Sequence, residues 1–260
     1  MKIILQSKEF SFSNTSNFDN IYLFTQFFIP DNEKRYNELK QTLFENVNNP
    51  SIHQIILLNE QIYSSVELGI ESNKIKQINI QHRLKFLDIF QYVRKTRTNG
   101  YIIMANCDIA FMSQSLIKLK TTSLHLEKQV ACLLRYEYNE RNVSKSSIFG
   151  PRYDSQDTWI LHSNFLIPTF SEKMFSFEFG KPGCDNKLVY LFAILGYKVI
   201  NDPKCIQTLH IHKNKHRSYT KYDAVHLPVG VIIPHGFDPK QCKEKLGINM
   251  QQFSIWSNNF

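Results

Sequence analysis

Short continuous apolar runs alternate along this chain with segments whose apolar positions recur at helical spacing. Ile21 to Phe28 is a β-prone run that stops at Pro30, which predicts a buried strand. Asp31-Asn32 can cap a helix carrying Tyr36, Leu39, Leu43 and Val47 on one face and ending near Asn48-Asn49-Pro50. His53 to Leu58 predicts a second buried strand, and the alternating stretch Lys74 to Ile80 a third. Leu84, Phe86, Leu87, Ile89, Phe90 and Val93 predict an amphipathic helix over roughly 81–97. Asn99-Gly100 breaks it, and Tyr101 to Ala105 is a fourth buried strand. This alternation argues for a parallel-type sheet covered on both faces, with ligands at the carboxyl ends of its strands.

The second half is less regular. Val130 to Leu134 and Thr158 to Leu161 read as strands, and Glu137 to Arg152 as an exposed polar loop. Cys184 to Tyr197 has helical periodicity and closes on Gly196. Ile206 to His212 reads as a last strand of the core. Residues 1–19 lack a clear period and predict an edge strand or a loose arm. Residues 221–260, with Pro228, Pro234 and Pro239, predict an irregular wrap with one short helix near 239–246. With no internal repeat and no linker, the expectation is one domain over 1–260. Its parts are a nucleotide-binding half (20–110), an acceptor and metal half (111–220) and a C-terminal wrap (221–260).

Composition narrows the classes. Hydrophobic residues at 42% and charged residues at 21% are globular values, and 9 Gly with 9 Pro exclude collagen-like and linker-rich chains. The five cysteines include no C-x-x-C pair, so a zinc ribbon and a disulfide scaffold are both disfavoured and reduced thiols are expected. The N-terminus has too short an apolar stretch for a signal peptide, and Leu188 to Leu195 is far short of a membrane span. The expected location is cytoplasmic, or host cytoplasm for a viral protein. The net charge of +8 calls for an anionic partner: nucleic acid, membrane face or phosphorylated small molecule. No nucleic-acid motif accompanies it, so a basic nucleic-acid-binding protein is the weakest of three readings.

Four segments carry candidate chemistry. In Ala105-Asn106-Cys107-Asp108 a buried strand delivers a carboxylate at its carboxyl end, suited either to a divalent cation on a diphosphate or to capping the turn. In Gly180-Lys181-Pro182-Gly183-Cys184-Asp185 two glycines precede Asp185 at a helix start, where it either serves a ligand or caps the helix. In Leu209-His210-Ile211-His212 the two histidines share a face if the segment is a strand. They can ligate a transition metal, and Lys213 to Arg217 can bind phosphate oxygens; the alternative is a solvated basic turn. Asp157-Thr158-Trp159 either sets a carboxylate and a ring against a sugar or places Trp159 in the core.

The order of these segments resembles GT-A-type nucleotide-sugar glycosyltransferases over roughly residues 20–220, including those of large DNA viruses and microbes. Asn106-Cys107-Asp108 resembles the D-x-D position, Gly183-Cys184-Asp185-Asn186 the x-E-D segment, and His212 the C-terminal metal histidine. Asn106 replaces the first acid of D-x-D, and Cys184 the glutamate of x-E-D, so one metal carboxylate remains. The resemblance implies an α/β fold with a mixed, mainly parallel central sheet flanked by helices. It implies a metal-dependent hexosyltransferase-type enzyme moving a sugar from a UDP- or GDP-sugar to a hydroxyl of a glycan or glycoprotein. Asp108 and His212 would hold Mn²⁺ or Mg²⁺. Thr25, Arg83, Asn106, Asp108, Lys213, His216 and Arg217 would meet the nucleotide-sugar. Asp185, with Asp157 as second candidate, would be the general base, or would orient the acceptor if configuration is retained. The loop around Ser144–Arg152 would order over bound donor. Asn106 and Cys184 also suit a degenerate relative that binds nucleotide or glycan without turnover.

Overall fold

The structure is a computed structural model that describes residues 2–212, 220–226, 228–242 and 254–255. Its strands are β1 (Lys2–Gln6), β2 (Asn20–Thr25), β3 (Gln54–Asn59), β4 (Ile75–Asn79), β5 (Gly100–Ala105), β6 (Ile109–Phe111) and β7 (Gln129–Leu133). They continue with β8 (Tyr136–Glu137), β9 (Ser147–Ile148), β10 (Thr158–His162), β11 (Lys198–Ile200), β12 (Thr208–His210), β13 (Val229–Ile233) and β14 (Ser254–Ile255). The α-helices are α1 (Glu33–Asn48), α2 (Ser65–Leu68), α3 (Phe86–Thr96), α4 (Ser113–Leu116) and α5 (Cys184–Ile194).

The seven-stranded central sheet has the order β11-β7-β10-β5-β2-β3-β4. β5, β2, β3 and β4 pair in parallel, as buried apolar runs joined by helices must. β10 is antiparallel to both β5 and β7. One apolar cluster, holding Phe24, Ile56, Phe90, Met104, Trp159 and Leu188, covers one face. A second, holding Leu23, Leu39, Ile55, Leu57 and Ile103, covers the other. Trp159 is therefore a core residue, edge-to-face with Phe86.

A separate four-stranded sheet, β6-β12-β8-β9, stands over the carboxyl ends of β5 and β7. The segment expected as a last core strand forms its β12. The stretch Glu137 to Arg152 is not a plain exposed loop. It contributes Glu137 of β8 and all of β9, and it ends in the buried Arg152, paired with Asp154 at 2.6 Å.

The ends of the chain also depart from expectation. Residues 2–6 form the middle strand of a third sheet, β13-β1-β14, with parallel pairing on both sides. Val229–Ile233, expected as irregular, is a buried strand packed on α5. Gly230 permits that approach, because a Cβ there would lie 2.9 Å from the Tyr190 backbone nitrogen. Residues 239–242 are not helical, and the rest of the helix expected near 239–246 lies outside the described residues. No described helix is long and apolar enough to cross a membrane.

Candidate metal and acid–base centre

The site follows from strand direction. β10 runs against β5, so the start of β10 lies beside the end of β5, with Thr158 opposite Ala105. It also lies beside the end of β7, with Thr158 opposite Leu133. Asp157 thereby meets the residues that leave both strands. Its Oδ1 accepts from Asn106 Nδ2 at 2.8 Å, and its Oδ2 from Arg135 Nη1 at 2.6 Å. Both oxygens are held, so Asp157 is a fixed anion.

β6 turns back from β5, and β12 pairs with it so that His210 stands opposite Ile109. On its other side β12 pairs with β8, with His210 opposite Glu137. The strand period of two puts His210 and His212 on one side. Ligand atoms of Asp108, His210 and His212 all lie within 4.8 Å of one another. His210 Nε2 and His212 Nδ1 each lie 3.3 Å from Asp108 Oδ2. The other nitrogen of His210, Nδ1, is 3.4 Å from Glu137 Oε2, an outer contact of the kind that orients metal-ligating histidines.

An arginine reaches the same oxygen. Arg35, buried on α1, donates from Nη2 to Asp108 Oδ2 at 2.6 Å and from Nη1 to Glu38 at 3.1 Å. The helix is docked by amide groups: Asn46 Nδ2 donates to Ile109 O at 2.8 Å, and Asn49 Nδ2 to Phe111 O at 3.0 Å. α1 thus grips β6 and delivers Arg35 to the carboxylate.

The charges shift each other. Burial opposes ionisation of Asp108, but His210, His212 and Arg35 outweigh it and hold the carboxyl well below its usual range. Burial lowers His210, yet Asp108 and Glu137 raise it to about 9. Glu137, despite its burial, is drawn down to about 2 by His210 and Arg135. Asp185 goes the other way. It lies in the first turn of α5, after Gly183 at φ 79°, and its Oδ2 accepts from Gln156 N at 3.2 Å. Burial first, and then the Asp157 charge, raise it to about 7, against pulls from the backbone N–H groups of Gln156 and Asn186. Asp185 stays partly open to solvent.

The residues fit a divalent cation. Both ring nitrogens of His212 are buried, Nδ1 stands 3.3 Å from Asp108 Oδ2 without hydrogen-bond geometry and Nε2 has no partner among the described residues, and two imidazoles with one carboxylate suit a transition ion such as Mn²⁺. Thr25, at the end of β2, lines one small cavity with Asn106 and Cys107, and its Oγ1 has no partner among the described residues. Arg83 Nε donates to Phe179 O at 3.1 Å and lies 3.8 Å from Glu178, and its charge acts on Cys107 beside Asp108. Lys213, His216 and Arg217 lie outside the described residues. Arg35, Arg135 and Glu137 did not stand out in the sequence. His210 did, as a possible ligand beside His212, but was not singled out for the metal.

No protein-family model matches the chain, and no curated protein matches it in sequence. Solved structures do. GalNAc-T7 with UDP, GalNAc and Mn²⁺ superposes with a TM-score of 0.50 at 9% identity, covering 75% of this chain and 44% of that one. The chain thus spans less than half of that protein's length. A mannosyltransferase from Pyrobaculum calidifontis in complex with GDP-Man and Mn²⁺ gives 0.47 at 8% identity, covering 80% of this chain and 61% of that one. The fold is that of the GT-A-type nucleotide-diphospho-sugar transferases.

Proposed function

We propose that this chain transfers a sugar from a nucleotide-diphospho-sugar to an acceptor hydroxyl. The observation that carries the reading is the convergence of Asp108, His210 and His212 at the carboxyl end of β5. In a fold of this kind ligands bind at that edge, and the GalNAc-T7 and mannosyltransferase structures hold Mn²⁺. Asp108, His210 and His212 would hold the cation, whose charge would offset that of the leaving diphosphate. Lys213, His216 and Arg217 follow directly in the chain and would supply further charge to the phosphates, with Thr25 and Asn106 nearer the nucleotide.

In an inverting transfer, Asp185 takes the proton of the acceptor hydroxyl as that oxygen bonds to the anomeric carbon. The bond from that carbon to the phosphate oxygen breaks, and its electron pair leaves with the diphosphate. A carboxylate near 7 is a far better proton acceptor than an ordinary one and is still ionised in useful amounts at neutral pH. Burial and then the neighbouring charge of Asp157, held in place by Asn106 and Arg135, make Asp185 basic.

The test is calorimetric titration of UDP, GDP and their sugars with and without Mn²⁺, alongside donor hydrolysis, for wild type and Asp108→Ala. Metal-dependent nucleotide binding that Asp108→Ala abolishes is expected. No nucleotide binding under any metal condition refutes the reading. A second reading, nucleotide binding without turnover, draws on Arg35, which already neutralises the lone carboxylate at 2.6 Å. Binding that persists with no transfer to any acceptor favours it.

A further inference from the structure

The opposite pole of the central sheet has a site of its own. A cleft of about 490 Å³ opens at the amino ends of β2, β3 and β4, beside the carboxyl end of α3. The strands between are six residues long or less, so it lies about 20 Å from Asp108. None of its lining groups takes part in the chemistry above.

One of its lining residues, Asp19, is held from behind by a buried histidine. His162 is fully buried, and its Nδ1 accepts from Asn164 N at 3.2 Å. The proton therefore sits on Nε2, which donates to Asp19 Oδ2 at 2.9 Å. Asn17 Nδ2 donates to the same oxygen at 2.9 Å. Both bonds fall on Oδ2, leaving Oδ1 of Asp19 as an oriented acceptor on the cleft wall. Around it stand the amides of Asn20 and Gln54 and the rings of Tyr92 and Phe18, the latter 84% exposed.

We propose that this cleft binds a saccharide. A fixed carboxylate oxygen and side-chain amides can each engage vicinal hydroxyls, the amides as donor and acceptor together. The exposed Phe18 ring offers an apolar face to the C–H face of a pyranose. Lys76 and Arg97 stand at the rim and outnumber the one carboxylate, so a free anion is the competing occupant that the sulfate control has to exclude. The proposal is independent of the reaction proposed for the carboxyl-end site. It makes this pole an anchor for a glycan that need not be the reacting one.

Calorimetric titration of the full chain with chitotetraose, maltotetraose and mannotetraose tests it, with inorganic sulfate as the anion control. Saturable binding of at least one tetrasaccharide is expected. Asp19→Asn should weaken it about tenfold, the cost of one well-placed hydrogen bond to a charged group. Phe18→Ser, at an exposed position that leaves folding intact, should weaken it several-fold. Asp108→Ala should leave it unchanged while removing Mn²⁺ binding, which separates this proposal from the other. Failure of all three sugars to bind at millimolar concentration overturns it. So does binding that Phe18→Ser and Asp19→Asn both leave intact, or sulfate binding that matches the sugar's.

Discussion

Replacing Asp185 by Asn should make the protein more stable and, where sugar transfer is measured, inactive. The Asp185 carboxyl stands at about 7 in the folded chain against 3.8 ordinarily. Between those values the folded protein keeps a proton that the unfolded chain has lost. Stability therefore falls as pH rises through that window, and the loss is complete above it. At roughly 1.4 kcal/mol per pH unit the full conversion is about 4 kcal/mol. Partial solvent exposure of Asp185 reduces this to about 2–3 kcal/mol. Asn removes the charge and keeps an oxygen for the Gln156 N–H. At pH 8.5 the variant should melt on the order of 5–10 °C above wild type, since each kcal/mol moves a chain of this size by about 2–4 °C. Near pH 4 both side chains are neutral and the difference should vanish. Scanning calorimetry at the two pH values reads it directly. An Asn variant no more stable than wild type at pH 8.5, or equally stabilised at both, refutes the argument. In the transfer assay wild-type rate should climb with pH through about 7, while the variant binds donor and does not turn over.

Three further outcomes follow from the same geometry. His210→Ala and His212→Ala should each weaken Mn²⁺ binding by more than about tenfold, and unchanged titration curves would remove the triad as a metal site. Arg35→Met removes the cation 2.6 Å from Asp108 and should tighten Mn²⁺ binding, measured by calorimetry; weaker binding would show that Arg35 supports the metal rather than competing with it. Arg135→Ala leaves the Asp157 charge buried without its ion-pair partner and should cost about 3–5 kcal/mol in urea unfolding, against under about 1 kcal/mol if the pair behaved as a surface salt bridge.

Where local pattern and tertiary environment agree, the elements were legible. β2, β3, β4 and β5 are apolar or alternating runs bounded by breakers, and α1 starts at Asn32, whose side chain caps the Arg35 N–H at 3.0 Å. The predicted helix over 81–97 starts late, at Phe86, because Gln81 to Lys85 instead makes the crossing from β4, with Gln81 at φ 61°. β13 was missed, and β1 was left between an edge strand and a loose arm, for a shared reason. Each is five residues long, and each is stabilised by pairing with a distant partner rather than by its own pattern.

The candidate site divides the same way. A carboxylate after a buried strand, an aspartate at a helix start and histidines two apart are local facts, and the resemblance of their order to a known family singled out Asp108, Asp185 and His212 among them. By itself the sequence determined the αβ alternation of the first half, the core faces of α1 and α3 and the segments from which chemistry could come. Only the tertiary structure decided which of those segments meet. Arg35 is the single arginine of a polar helix until α1 docks on β6 and turns it inward onto Asp108. Glu137 looks like the start of a loop until β8 pairs with β12. Asp157 looks like a possible base until Asn106 and Arg135 take both its oxygens, and Asp185 becomes basic because folding buries it and sets that charge beside it. Hydrophobic periodicity is written residue by residue along the chain. Electrostatic coupling falls off with distance through space, so it exists only once the chain has folded.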